Sequence, residues 1–276
     1  MAGISAADVK ALREQTGQPM MDCKKALAAS DGDFDGAVQW LRENGAKVAT
    51  KRSDRSTDFG RFGLHFGSEV GAIVELKCES APVTGNEEFI QLANDLAVQL
   101  ATGPGAATPD ELLAQPSPSK EGVTLGEQKE DLFNRIREVF NVTRIQRIDT
   151  ACGGYNHNAA NVVGVLISMK GGNQETAKDI GMHIAAMNPA VLKVEQLAPE
   201  VVEKERKFLR DAAIKDGKPE QIVDKIVEGQ LRKFYAESVL LEQPFVKDDK
   251  QSVGKYAKSQ GMEVLDFVRW ELGGAE

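Results

Sequence analysis

Gly71-Ala-Ile-Val-Glu-Leu-Lys-Cys78 is the stretch on which the fold turns. It is short, rich in apolar residues and preceded by another strand-like stretch, Phe62 to Phe66, so the two read as a hairpin. A helix follows from about Asn86 to Thr102, with Phe89, Leu92, Ala93, Leu96 and Leu100 on one face. The same order recurs downstream. Gly154-Tyr-Asn-His157 leads to a strand Val162-Val-Gly-Val-Leu-Ile-Ser-Met169, and a helix then runs from about Thr176 to Asn188. Ile180, His183, Ile184 and Met187 recur in register along that helix. A hairpin plus a helix, used twice, predicts two small antiparallel sheets, each with a helix on one face.

Toward the N-terminus the chain becomes helical. Ser5 and Asp8 form a capping box, Val9 and Leu12 share a face, and Thr16-Gly17 ends the first helix. Pro19 suits the first turn of a second helix, which carries Met21, Cys23, Ala26 and Leu27. Asp33 caps a third, with Phe34, Ala37, Val38 and Leu41 at helical spacing and Gly45 closing it. Residues 46–61 lose this periodicity and read as a linker, with a basic run at Lys47, Lys51, Arg52 and Arg55 taken as solvated. Toward the C-terminus, residues 103–120 form a Gly/Pro/Ser-rich loop, and a helix is expected from Glu127 to Phe140. Two amphipathic helices flank Asp216-Gly217-Lys218-Pro219, implying an antiparallel hairpin. The first carries Val201, Val202, Phe208, Leu209 and Ala212, and the second Ile222, Val223, Ile226, Val227, Leu231 and Phe234. Val264 to Leu272 alternates well enough to return to the second sheet.

The expected architecture is therefore α+β. Residues 1–45 form a three-helix module and 46–61 a linker. Residues 62–140 form one core subdomain, 141–196 with 239–276 a second, and 197–238 the helical hairpin.

Composition narrows the function. The 276 residues are 41% hydrophobic and 28% charged, ordinary for a globular chain. A net charge of −8 disfavours direct nucleic-acid binding. No apolar run approaches the roughly 20 residues that span a bilayer, and Met1-Ala2-Gly3-Ile4 opens no secretory signal. Cys23, Cys78 and Cys152 have no CxxC spacing and suit a reducing cytoplasm. No phosphate-cradling loop, dinucleotide fingerprint, zinc-protease motif or nucleophile elbow occurs, so neither a cofactor nor catalytic chemistry is expected. Cys152 with His157 is the one conceivable nucleophile and base, without an orienting third group. His183, on an apolar helix face, reads as a hydrogen-bonded core residue.

Leu12-Arg-Glu-Gln-Thr-Gly-Gln-Pro-Met-Met-Asp-Cys-Lys-Lys-Ala-Leu27 closely resembles the N-terminal signature of the elongation factor Ts family. So do Lys218-Pro-Glu-Gln-Ile-Val-Asp-Lys-Ile-Val-Glu-Gly-Gln-Leu-Arg-Lys-Phe234 and Leu241-Glu-Gln-Pro-Phe-Val246. Met182-His-Ile-Ala-Ala186 and Tyr155-Asn-His157 also look like family positions. The resemblance implies a UBA-like three-helix module, a two-subdomain core and a protruding coiled coil. It also implies binding to elongation factor Tu, GDP-bound and nucleotide-free, with release of GDP. Arg13, Met20 and Met21 match the family's contact with the partner's nucleotide-binding domain. Tyr155, His157, Phe245 and Val246 match its contact with the partner's C-terminal domain.

One segment departs from the pattern. The family carries Thr-Asp-Phe-Val before the first core helix, where the acidic and aromatic groups loosen the partner's magnesium ion. Ser80-Ala-Pro-Val83 stands there instead, so Ala81 and Pro82 replace the carboxylate and the ring. Thr57-Asp58-Phe59 lies in the linker and reads as coincidence. Binding and exchange are expected to survive, with the loop still touching the partner. Three rivals remain: a scaffold for ubiquitin-like proteins, a thiol enzyme built on Cys152, and a paralogue that holds the partner without exchanging its nucleotide. The sequence leaves open whether the hairpin makes a homodimer. The chain's short stretch after Leu272 leaves little room for the extra C-terminal helix of some family members.

Overall fold

The computed structural model describes residues 4–52, 54–158 and 162–274. It has an α+β fold in two compact units, one of residues 1–65, 72–147 and 272–276, the other of 66–71 and 148–271.

The first unit opens with α1 (Ala6–Thr16), α2 (Met20–Ala29) and α3 (Phe34–Arg52). Ser5 and Asp8 make the expected capping box, and Gly17 takes the left-handed C-cap at φ 67°. Pro19 sits one position outside α2, where its carbonyl accepts from Asp22 and Cys23 N–H at 2.9 and 3.0 Å. Val9, Leu12, Cys23, Ala26, Leu27, Ala37 and Leu41 form the module's core.

Gly45 does not close α3, which runs on to Arg52 through much of the expected linker. The reason is packing. A Cβ on Gly45 would lie 2.0 Å from Asn134 Oδ1, so the missing side chain admits a neighbouring helix rather than ending its own. Arg52 donates to the Arg137 carbonyl at 2.8 Å, and Arg55 pairs with Glu79 at 3.0 Å, so these two are not merely solvated. The side chains of Lys47 and Lys51 lie outside the described residues.

β1 (Phe59–Phe66) begins three residues earlier than expected and takes in Phe59, and β2 (Gly71–Cys78) matches its reading. α4 (Glu87–Thr102) is N-capped by Asn86, whose Oδ1 accepts from Glu88 and Phe89 N–H at 2.9 and 3.1 Å. Its expected apolar face, Phe89 to Leu100, is buried. The loop after it contains α5 (Pro109–Leu113). It is tied down by buried Asp95, which accepts from Gln91, Gln128 and Ser119.

α6 (Leu125–Ile136) stops short of Phe140 because Arg137 turns into the left-handed region at φ 67°. Phe140 instead opens β3 (Phe140–Ile148), a strand the sequence reading missed, completing a sheet in the order β1-β2-β3. Residues 141–147 therefore belong to the first sheet rather than the second subdomain. Glu75 on β2, almost fully buried, is gripped by Arg144 at 2.7 and 2.9 Å and by the Thr143 hydroxyl.

The second unit carries β4 (Cys152–Asn158) and β5 (Val162–Gly171), antiparallel with Tyr155 opposite Val165. α7 (Gln174–Met187) packs on them, with Ile180, His183 and Ile184 buried. Met187, expected on that face, is exposed at the helix end. A Cβ on Gly181 would fall 3.0 Å from the backbone of Gly154 and Tyr155, so glycine lets α7 lie close to β4.

α8 (Pro199–Lys215) and α9 (Glu220–Ser238) form the expected antiparallel hairpin around Ala213, Val223, Val227 and Leu231. Arg206 pairs with Glu228 at 2.5 Å and Arg210 with Asp224 at 2.7 Å. Phe208 and Ala212 point to solvent, because the inner stripe of α8 runs through Leu209 and Ala213. The short β6 (Pro244–Phe245) pairs with β7 (Asp248–Ser252), and α10 (Val253–Ser259) leads into β8 (Met262–Glu271). β8 returns antiparallel to β5, as its alternation foretold, giving the order β4-β5-β8. No helix among the described residues is long and apolar enough to cross a membrane.

Candidate functional site

Met20 and Met21 open α2 and are 53% and 61% exposed. Met21 was expected on the face of Cys23, Ala26 and Leu27. At about 100° per residue it lies roughly 200° away from Cys23, which turns it to solvent. Arg13 is exposed on α1. Burial pushes the Cys23 thiol up, with nearby Asp22 adding to the shift and Arg13 opposing it. Two adjacent exposed thioethers make a flexible, adaptable apolar surface.

The segment Ser80–Val83 also lies in the first unit. Ala81–Gly85 forms one 3-10 turn. Ala81 and Pro82 are exposed, whereas Val83 is turned inward and buried. The turn is held at both ends. Thr84 Oγ1 donates to the Ala81 carbonyl at 2.7 Å, and Arg61 donates to the Thr84 carbonyl at 3.0 Å. Ser80 gives its N–H and its hydroxyl to Glu138, at 3.0 and 2.5 Å.

In the second unit Tyr155 and His157 stand two apart on β4, where the pleat puts them on one face. The Tyr155 hydroxyl meets His157 Nδ1 at 2.9 Å, and the rings lie 5.8 Å apart. Phe245 is buried, stacked on Tyr256 with centroids 4.2 Å apart, and Val246 beside it is exposed. The backbone between them is fixed by His183. Val246 N–H donates to His183 Nδ1 at 3.2 Å, so the proton belongs on Nε2, which meets Gln243 Oε1 at 2.9 Å. Gln243 in turn donates to the Glu237 carbonyl at 2.8 Å. Burial lowers the His183 pKa from its ordinary value, consistent with a neutral ring. His183 is thus the hydrogen-bonded core histidine expected.

The Cys152 and His157 pairing does not form. Cys152 is fully buried and its thiol is pushed up by burial, while His157 bonds Tyr155. An odd spacing along one strand also puts the two on opposite faces.

These surfaces can be set against known proteins. The family model described as Elongation factor TS matches residues 81–274. A relative named Elongation factor Ts from Saccharopolyspora erythraea is 40% identical over 279 residues, covering 100% of both chains. The chain belongs to the elongation factor Ts family. Elongation factor Ts of Idiomarina loihiensis is 39% identical over 272 residues, 98% of this chain and 91% of the relative. That of Micrococcus luteus is 40% identical over 281 residues, 99% and 100% of the two chains. Membership of the elongation factor Ts family places the chain in translation elongation, a part of protein biosynthesis.

Sequence reasoning missed Asp22, Glu79, Arg137, Glu138 and Gln243. Each acts through a hydrogen bond or ion pair to a distant segment, and although Asp22 and Gln243 lie inside segments that resemble the family, nothing local marks those distant partners. The left-handed turn at Arg137 left no trace, because Leu132, Phe133, Ile136, Val139 and Phe140 keep helical spacing straight across it.

Proposed function

We propose that the chain binds elongation factor Tu, GDP-bound and nucleotide-free, and drives GDP out of it in the cytoplasm, without catalytic chemistry of its own. The observation that carries this reading is the exposed Met20-Met21 pair at the start of α2, in a chain of the elongation factor Ts family. In this reading Arg13, Met20 and Met21 meet the partner's nucleotide-binding domain. Tyr155, His157 and Val246 meet its C-terminal domain, with buried Phe245 holding Val246 outward. The three-helix module is UBA-like, and the α8–α9 hairpin is a protruding coiled coil.

Exchange has an energetic requirement. A ~10⁴-fold acceleration of GDP release needs about 5.5 kcal/mol of barrier reduction. Whatever weakens GDP must bind the nucleotide-free partner correspondingly better. With Ala81 and Pro82 in place of a carboxylate and a ring, the turn acts by steric contact through its exposed edge. Stopped-flow release of a fluorescent GDP from the cognate factor Tu tests this. Saturable acceleration is the expected result, and no acceleration at saturating protein overturns the exchange reading. Met21→Ala should raise the half-saturating concentration about tenfold, the effect of losing roughly 1.4 kcal/mol at an interface anchor.

Ala81 and Pro82 also favour a second reading, a family member that binds the partner and holds it. Tight binding without faster release would select it.

A further inference from the structure

Two consecutive residues join the exposed methionines to the 3-10 turn. Arg137 ends α6, and its side chain pairs with Asp22, which adjoins Met21 on α2. Glu138, next in the chain, accepts both the N–H and the hydroxyl of Ser80, which adjoins Ala81. The arrangement is braced from both directions. Glu79 Oε1 accepts from Val139 N–H at 2.8 Å, so residue 79 holds 139 while residue 138 holds 80. Arg52 donates to the Arg137 carbonyl at 2.8 Å, tying in the end of α3. Cys78 Sγ donates to the Ser80 carbonyl at 3.3 Å. Burial first, and then the Glu138 charge, push that thiol up to about 12, so it stays a donor.

Backbone conformation adds a second observation. Arg137 sits at φ 67°, ψ 25°, a conformation costly for a residue with a Cβ and usual for glycine at a helix end. An arginine here gives up backbone ease, and what it gains is the ion pair with Asp22.

We infer that Arg137 and Glu138 are positioning residues that fix the Met20-Met21 surface and the 81–85 turn in one geometry, so that gripping the partner presents the turn to its nucleotide site. The inference rests on the exchange reading above. A turn that lacks the acidic and aromatic groups has no strong interaction of its own to guide it. Its effect then depends on where its backbone and Pro82 are held, and small misplacement is costly for such a contact.

The test is GDP release from the cognate factor Tu, with the full-length chain, read as maximum rate and half-saturating concentration separately. Arg137→Gly removes the guanidinium yet suits the left-handed turn, so its melting temperature should hold or rise. Its maximum rate should fall ~10-fold while the half-saturating concentration moves less than about threefold. Glu138→Ala should behave alike. Glu138→Gln, which can still accept from Ser80 N–H, should recover most of the rate. Maximum rates within about twofold of wild type for both Arg137→Gly and Glu138→Ala would overturn the inference. A wild-type chain that gives no acceleration defeats the exchange reading first, and the two failures are told apart by the wild-type trace alone.

Discussion

The two sheet-plus-helix cores use the same plan and different glue. In the first, the middle strand β2 buries a carboxylate, Glu75, satisfied by Arg144 and Thr143 on β3. Further carboxylates, Glu79 and Glu138, fasten the strand ends. In the second, the buried polar link is neutral: His183 bonds Gln243 and the Val246 N–H. Helix capping, by contrast, is shared. Asn86 and Asn173 each accept backbone N–H bonds at the start of the covering helix. A common scaffold thus tolerates either ionic or neutral fastening, provided the fastening groups themselves are hydrogen-bonded.

The largest test of that contrast is the buried ion pair. Glu75→Leu removes the buried carboxylate that Arg144 and Thr143 both bond and should cost about 3–5 kcal/mol in urea unfolding of the first unit. The double variant Glu75→Leu with Arg144→Met should recover most of it, and a double-mutant cycle measures the coupling. A single variant with no loss of midpoint would show that the charged fastening is dispensable.

The caps should be equal where the fastenings are not. Asn86→Ala and Asn173→Ala should each cost about 1 kcal/mol, read from denaturant midpoints. A marked inequality would break the parallel between the cores.

The smallest effect is a pH dependence confined to the second unit. Folded His183 holds its proton less firmly than the unfolded residue does, because burial lowers its pKa. The unfolded state therefore binds more protons just below the ordinary value of 6.5, and stability falls as pH drops from there toward the lowered value. Above 6.5 the contribution is fully present. In His183→Gln this limb of the stability profile should flatten relative to wild type. An unchanged slope would remove His183 as its source.

Much of this molecule is written in short-range pattern. The Ser5 and Asp8 box, the Asn86 cap with its apolar stripe and the turn at Asp216–Pro219 each declare themselves within one or two helical turns. Errors arose where a local signal met a distant partner. Gly45 looked like a stop because its packing neighbour, Asn134, is remote in sequence. Phe140 looked helical until the left-handed Arg137 intervened, and β3 went unseen with it. Phe208 fell outside the inner stripe because the hairpin partner selects Leu209 and Ala213. Of the candidate surfaces, the methionines and the departing turn were legible as motif positions. That Met21 and Pro82 are exposed while Val83 and Phe245 are buried came only from three-dimensional packing.

The unbroken run of α3 past Gly45 sets a rule for building hybrids of this chain. A flexible joint would let modules be exchanged between relatives as cassettes. Here the joint is a rigid axle, and each residue inserted into 46–52 would rotate the module by about 100° around it. Length changes of three or four residues bring the same side back to face α6, whereas one or two swing it away. The three-helix module and the body it rides on are therefore one geared part, and evolution or an engineer must cut it elsewhere.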